Sequence, residues 1–293
     1  MDLSIIIVNW NTAELTAACL ASIPAGLGGL AGRAETIVVD NGSDDGSVAR
    51  IRAEFPDVHL IENSQNLGFA GANNQGIEAS RGRYVLLLNS DTLVHPNALA
   101  TLVDFMETHP DAGSCGARLL NVDGTLQESC YPFPSLGREA WRLFHLDGVR
   151  PRARYPMHDW NPTLPRTVDS LMGACLLMRR GVLDQVGLLD DSYFMYSEEV
   201  DLCLRIRRAG WSLYWVPIAR IIHYGGQSTK QVAAEMFLRL YQGKVLYFQK
   251  HYSWVTVQLY KIIIMAASLP RLLMSLFAWL EKPPKRQQHL ACL

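Results

Sequence analysis

Five short stretches of this 293-residue chain hold side chains from which chemistry could be built. In Leu86-Leu87-Leu88-Asn89-Ser90-Asp91-Thr92, an apolar run ends abruptly in an amide, a hydroxyl and a carboxylate. A buried strand that brings Asn89 and Asp91 to its C-terminal tip offers hard oxygen ligands. Magnesium or manganese would accept them if diphosphate oxygens and water filled the remaining positions. Taken alone, one Asp at a strand end is equally a structural feature. Tyr196-Ser197-Glu198-Glu199-Val200-Asp201-Leu202-Cys203-Leu204-Arg205 sets three carboxylates at a helix start. Acids there interact well with the helix dipole, and Asp201 pairs with Arg205 at i, i+4, without any function being needed. Glu198 and Asp201 share a face while Glu199 is turned by roughly 100°, so the two glutamates should divide their roles. One of them could face a cleft as a general base.

The other three stretches are softer. Val38-Val39-Asp40-Asn41-Gly42-Ser43 puts a carboxylate at a strand tip, where it could accept a hydrogen bond from a base or ribose or simply brace a turn. Asn66-Leu67-Gly68-Phe69-Ala70-Gly71-Ala72-Asn73-Asn74-Gln75-Gly76 combines small residues, which permit close backbone approach, with amides that both donate and accept. Its glycines superficially suggest a dinucleotide fingerprint, but Asn9-Trp10-Asn11-Thr12 after the first apolar run has no Gly-x-Gly-x-x-Gly, which disfavours NAD. Ile221-Ile222-His223-Tyr224-Gly225-Gly226 places a histidine before two glycines, where it could approach a phosphate or a metal closely.

The elements that must position these residues follow from periodicity. Short β-branched runs at 3–8, 35–40, 58–62, 83–88 and 114–120 read as strands, with helices near 12–22, 46–54, 70–80 and 96–108 between them. This alternation predicts a mostly parallel sheet. Thr12 and Ser47 are candidate helix caps, and Pro96 fits a first-turn position. Residues 130–167 hold six of the 14 prolines with interleaved arginines and aromatics, the composition of an irregular insertion over an active site, over a membrane surface, or of an ordinary variable loop. Regularity returns at 168–178, followed by helices at 180–186 and 198–208, the second ended by Gly210, and a last strand at 213–216.

From 232 the pattern is helical, with Ala233, Phe237, Leu240, Tyr241, Val245 and Phe248 on one stripe. Residues 255–280 are apolar but broken by Lys261, Pro270 and Arg271, which points to helices lying in an anionic membrane interface, with a true span or a packed, dimerising helix as alternatives. Lys282, Lys285 and Arg286 behind this stretch favour the interface. Charge divides accordingly: residues 230–293 carry nine Lys/Arg against two acids, and residues 1–229 carry 18 against 26. Six cysteines without a Cys-x-x-Cys pair read as reduced, mostly buried thiols of a cytosolic protein. Asp2 and the short run after it resemble a first strand more than a signal peptide. With 49% hydrophobic residues the chain can bury a full core.

Taken in order, these segments resemble the family 2 inverting glycosyltransferases, specifically the rhamnosyltransferase-like branch of bacterial surface-polysaccharide synthesis. The matching stretches are Ile5-Ile6-Ile7-Val8-Asn9-Trp10-Asn11, Val39-Asp40-Asn41-Gly42-Ser43, Asn66 to Gly76, Leu88-Asn89-Ser90-Asp91, Gly173-Ala174, Phe194 to Leu202, and His223-Tyr224-Gly225-Gly226. The likeness spans about residues 3–250. It implies a GT-A α/β fold: a catalytic domain over 1–229, with a nucleotide-binding half over 1–128, the insertion at 130–167 and an acceptor half over 168–229. A helical, membrane-associating extension over 230–293 would follow.

The resemblance also implies roles. Glu199 matches the catalytic base, Asp91 and His223 the metal or diphosphate contacts, and Asp40 the base-binding residue. Asn9, Asn11, Asn66, Gly68, Asn73, Asn89 and Ser90 fall on the nucleotide-sugar side, and Gly173, Tyr196 and Glu198 on the acceptor side. The family's Asp-x-Asp appears here as Asn89-Ser90-Asp91, leaving Asp91 as the main side-chain ligand, and its Glu-Asp as Glu198-Glu199. Magnesium or manganese is the implied cofactor. The implied partners are a nucleotide-diphospho-sugar donor, with dTDP-rhamnose the first guess, a lipid-linked saccharide acceptor, and the cytoplasmic face of the membrane, to which the protein would bind peripherally. A homodimer is compatible with this and no nucleic acid is expected. A sugar-1-phosphate nucleotidyltransferase would instead carry a Gly-rich, Arg-containing loop after the first strand. A non-catalytic nucleotide-sugar-binding adaptor would release no nucleoside diphosphate.

Overall fold

A computed structural model describes the backbone of residues 1–279 and the side chains of 1–270. The chain divides into two compact units, Met1–Phe133 with Pro156–Lys244, and Pro134–Tyr155 with Val245–Leu293.

In the first unit a nine-stranded sheet forms from alternating strands and helices. Its first four strands are β1 (Leu3–Asn9), β2 (Ala34–Asp40), β3 (His59–Glu62) and β4 (Tyr84–Leu88), joined by helices α1 (Ala13–Leu27), α2 (Ser47–Glu54) and α3 (Gly68–Ala79). β1 pairs in parallel with β2, with Ile6 opposite Ile37 and Asn9 opposite Asp40, and on its other side with β4. Leu3, Ile5, Ile6 and Ile7 are fully buried, as are Val85, Leu86 and Leu87. Such strands read as continuous apolar runs because helices cover both faces of a parallel sheet.

β4 ends at Leu88, and after Asn89-Ser90-Asp91 the chain enters β5 (Thr92–Val94), α4 (Ala98–Thr108) and β6 (Ala112–Leu120). Further along lie β7 (Cys130–Tyr131), α5 (Leu136–Leu143), β8 (Arg166–Thr167), β9 (Ser170–Leu171), β10 (Cys175–Arg179), α6 (Arg180–Val186), α7 (Glu198–Arg208) and β11 (Ser212–His223). The spatial order is β3-β2-β1-β4-β10-β6-β11-β5, with β8 beside β11. β4 and β5 are nearly contiguous in sequence yet lie three strands apart, so the sheet must curl. The Asn89 segment sits where the chain leaves one part of the sheet for another, a topological switch point of the kind that binds ligands. β10 runs antiparallel between β4 and β6, and the antiparallel register of β11 on β5 sets His223 opposite Thr92, beside Asp91.

Several expected details differ. The last strand is β11, twelve residues long instead of four, because an irregularity between Val216 and Arg220 lets pairing with β6 continue past Pro217. Thr12 makes no capping bond; its hydroxyl donates to Asn9 Oδ1. Ser47 lies inside α2, where Gly46 in the left-handed region is the cap, and Pro96 precedes the α4 cap Asn97. α6 and α7 have the expected bounds, and Gly210 follows α7 at φ 93°.

α8 (Gln227–Lys230), α9 (Ala233–His251) and α10 (Trp254–Trp279) complete the described chain, the division between units falling within α9. The expected apolar stripe on α9 is displaced. Met236, Gly243, Tyr247 and Phe248 are buried, whereas Ala233 and Phe237 are exposed. In the second unit α5 packs against α10. There Glu139, 5% exposed, accepts from Arg142 at 2.7 Å and from Tyr260 Oη at 3.3 Å. Arg152 lies over the Trp141 ring at 4.8 Å.

The helical backbone of α10 continues past Pro270. Trp254, Val255, Leu259, Ile262, Met265 and Leu269 form an exposed stripe at helical spacing on it. Among the described residues the segment long and apolar enough to cross a membrane is Ala13–Leu30. Ala17, Cys19, Leu20 and Ile23 are buried there, so it serves as a core helix. The apolar stretch Trp254–Pro270 is the first part of α10, which runs on to Trp279. Cys19, Cys115, Cys130, Cys175 and Cys203 are free and buried; Cys292, Lys282, Lys285 and Arg286 lie outside the described residues.

Candidate active site

The C-terminal ends of β1, β2 and β4, the start of α7 and the end of β11 surround a cavity of about 400 Å³ in the first unit. It brings together Asn66, Gly68, Asn89, Ser90, Asp91, Gly173, Tyr196, Glu198, Glu199 and His223. Asn9, Asn11, Asp40 and Asn73, which the sequence also singled out, do not line it. Asn9 is fully buried and donates from Nδ2 to Asp40 Oδ1 at 2.7 Å, while Thr12 and Thr16 donate to its Oδ1. Asp40 also accepts from Ser43 N at 3.0 Å. Asn11 adopts φ 52° and accepts from Asp44 N at 2.9 Å. Asn73 donates to Phe69 O at 2.8 Å within α3. Asn9, Asn11 and Asp40 thus tie the loops after β1 and β2 together, and Asn73 bonds within α3.

At one pole of the cavity two neighbouring carboxylates each keep one oxygen without a partner among the described residues. Glu198 is 3% exposed, and the Oε2 atoms of Glu198 and Glu199 have no hydrogen-bond partner among the described residues. Burial pushes the Glu198 carboxyl well above its ordinary range, and the neighbouring Glu199 charge adds to the rise. Burial also raises Glu199, against backbone N–H bonds that pull it down. Asp201 is spent structurally: Arg205 Nε donates to it at 2.8 Å while the rest of the guanidinium holds the carbonyls of Val186, Gly187 and Leu188.

The backbone entering α7 is strained, with Tyr196 at φ 70° and Ser197 at φ 77°, two successive non-glycine residues in the left-handed region. Gly243 of α9 packs on this turn so closely that a Cβ would lie 2.4 Å from Tyr196 O. Gly68, itself at φ 78°, meets the preceding segment, where a Cβ would lie 2.3 Å from Phe194 O. Phe69 N donates to that same carbonyl at 2.7 Å.

The opposite pole pairs its carboxylate. His223 Nε2 lies 3.2 Å from Asp91 Oδ1 and 3.2 Å from Asn89 Nδ2. Gln227 N approaches Asp91 Oδ2 at 3.4 Å, and Tyr224 N donates to Asp91 O at 2.9 Å. Burial works to raise the Asp91 carboxyl, but the His223 contact and the Gln227 N–H outweigh it and hold it below the usual carboxylate range. Sequence reasoning missed Gln127 and Asn41 on the cavity wall. Asn41, next to the named Asp40, donates to Asn66 Oδ1 at 2.8 Å and Gly68 O at 3.1 Å, tying the loop after β2 to the start of α3.

Residues 4–187 match the family model for glycosyl transferase family 2. The chain is a family 2 glycosyltransferase. This glycosyltransferase is 31% identical over 235 residues to N-acetylglucosaminyl-diphospho-decaprenol L-rhamnosyltransferase of Mycobacterium tuberculosis, a similarity covering 74% of this chain and 76% of the relative. It is also 31% identical over 245 residues to low-salt glycan biosynthesis hexosyltransferase Agl10 of Haloferax volcanii, covering 82% and 72%. A mannosyltransferase of Pyrobaculum calidifontis, solved with GDP-Man and Mn2+, superposes with a TM-score of 0.58 at 16% identity over 99% of this chain and 78% of that one. The fold is therefore GT-A, as expected, and the family is of the rhamnosyltransferase type.

The residues at the Asp91 pole fit a divalent cation of this kind. Asn89 Oδ1 is buried without a partner, next to an ionised carboxylate and an imidazole nitrogen, a set suited to magnesium or manganese. Among the described residues there is no group of three or more His, Cys, Asp or Glu that could hold a metal ion. Asn89, Asp91 and His223 would therefore form only part of a cation's shell, leaving the rest to diphosphate oxygens and water.

Proposed function

We propose that the protein is a metal-dependent, inverting transferase that moves a sugar from a nucleoside-diphosphate donor to a hydroxyl of a lipid-linked saccharide. The observation that carries this reading is the meeting, in one cavity, of two glutamates that each keep a buried oxygen without a partner among the described residues and an aspartate held by His223. Glu199 takes the proton from the acceptor hydroxyl as that oxygen attacks the anomeric carbon, in line with the departing nucleoside diphosphate. Glu198, its carboxyl pushed up by burial and by the neighbouring Glu199, is the better placed of the two to donate a hydrogen bond to the acceptor. Asp91 and His223, with Asn89, would hold the divalent cation, which when bound offsets charge gathering on the diphosphate. A single displacement of this kind inverts the anomeric centre.

The donor we favour is dTDP-rhamnose. Its support is the likeness to a rhamnosyltransferase and a cavity lined by Trp10, Phe69, Met172, Phe194 and Met236, apolar surface suited to the methyl group of a 6-deoxy sugar. The relative's name specifies a diphospho-decaprenol-linked sugar, which supports a lipid-linked acceptor here and action next to a membrane. The exposed stripe from Trp254 to Leu269 would then lie in the interface, and flotation with anionic vesicles should be lost in Leu259→Glu/Met265→Glu. The functional reading is tested by thermal shift with a panel of nucleotide sugars and Mn2+, followed by assay of nucleoside diphosphate release. A rise in Tm with one deoxysugar nucleotide is expected. No shift with any nucleotide sugar would defeat the proposal.

A further inference from the structure

The turn that follows β6 reaches the cavity through Gln127, and its polar side chains form a chain whose direction is forced at each link. The turn is closed by Asn121 N on Thr125 O and by Gly124 N on Asn121 O, with Gly124 at φ 83°. Accepting from Thr125 keeps the Asp123 carboxyl below its usual range, so it is an ionised acceptor with no proton to give. The single hydroxyl proton of Thr125 therefore goes to Asp123 Oδ1, at 2.6 Å. That leaves the Thr125 oxygen to accept from Asn121 Nδ2 at 2.9 Å, and the same nitrogen points at the Leu126 carbonyl at 3.4 Å.

With its NH2 group engaged, Asn121 turns its carbonyl oxygen to Gln127. Gln127 Nε2 donates to Asn121 Oδ1 at 3.0 Å and to the backbone oxygen of His223 at 3.1 Å. Both of these partners are acceptors, so rotating the Gln127 amide by half a turn would set oxygen against oxygen twice. Its Oε1 consequently faces His223 Nδ1, at 2.6 Å. Two lone pairs cannot share that distance, so Nδ1 carries a proton. The other ring nitrogen, Nε2, is the one directed at Asp91 Oδ1 and Asn89 Nδ2.

We propose that Gln127, held in orientation by Asn121, is a positioning residue that keeps the His223 proton on Nδ1 so that Nε2 is presented with Asp91 to a divalent cation; this rests on the metal-dependent reading above. An outer partner that fixes a histidine tautomer commonly changes metal affinity by about 10–100-fold when removed. Nitrogen-detected or long-range 1H–15N NMR on the full-length protein reads the proton directly, the His223 signal being assigned by its loss in His223→Asn. Across neutral and mildly alkaline pH, with and without Mg2+, Nδ1 should give the signature of a protonated nitrogen. Gln127→Met, which keeps the length and loses the acceptor, should abolish that preference and weaken Mn2+ binding, read by water-proton relaxation, by about tenfold or more. A bare Nδ1 in the unaltered protein would overturn the inference without any variant having to fold, and so would Mn2+ affinity unchanged in Gln127→Met. A protein that binds no Mn2+ at all would overturn it by removing the metal reading beneath it, a failure told apart by an intact Nδ1 signature.

Discussion

The two poles of the cavity use the same functional group in opposite ways. At the start of α7, Glu198 is buried and Glu199 half-buried, each keeps a buried Oε2 without a partner among the described residues, and both carboxyls are raised. At the end of β4, Asp91 is comparably buried, yet His223 and a backbone N–H hold its carboxyl down. Burial penalises both; the presence or absence of a partner decides the sign. A carboxyl raised toward neutrality can take a proton from a hydroxyl, whereas one kept ionised can hold a cation.

Removing the proton acceptor should cost most. Glu199→Gln is expected to lower transfer by about 10³-fold while leaving donor binding intact, as read by calorimetry with the donor. Undiminished turnover would move the base elsewhere. Asp91→Asn should cost about 10²-fold in kcat and abolish the Mn2+-dependent rise in Tm. A variant that kept the metal response would strip Asp91 of its part in the contrast. Gly68→Ala attacks the seam between the poles: a Cβ at φ 78° that would press on Phe194 O should destabilise the fold by about 2 kcal/mol in urea denaturation.

The smallest effect is on stability alone. Glu198 has its folded pKa raised above the 4.5 of the free side chain, so its contribution is fully present below that value and declines as pH rises through the raised pKa. Glu198→Gln should therefore stabilise the protein at alkaline pH and change its stability little at acid pH, measured by denaturation at both. Equal effects at the two pH values would mean that Glu198 is not held neutral.

The contrast between the poles was only partly legible in the sequence. The buried strands β1 and β4 could be read because both faces are covered, which makes their residues apolar without a break. α7 could be read because acids open it and Gly210 closes it. Asp91 and Glu199 could be named as a pair only through the resemblance, since more than a hundred residues separate them and only the curl of the sheet joins them. His223 looked like a residue after a short strand, because Pro217 disguised the continuation of β11. Asp40 and Asn9 bond to each other across β1 and β2, a pairing that a strand-tip motif does not announce. Gln127 had no signal at all. One partner, Asn121, sits in the same turn, but His223 comes from a distant strand, and an isolated Gln in a turn has no local pattern to mark it.

The division of labour is tested most directly by the pH dependence of kcat/KM in the unaltered protein, in Asp91→Asn and in Glu199→Gln, measured at saturating Mn2+. The unaltered enzyme should lose activity as pH falls through a group titrating above 4.5, the ordinary value for Glu199. The residual activity of Asp91→Asn should keep that acid limb in the same place, and the residual activity of Glu199→Gln should be flat across it. An acid limb that moves with Asp91 and survives the loss of Glu199 would contradict the account.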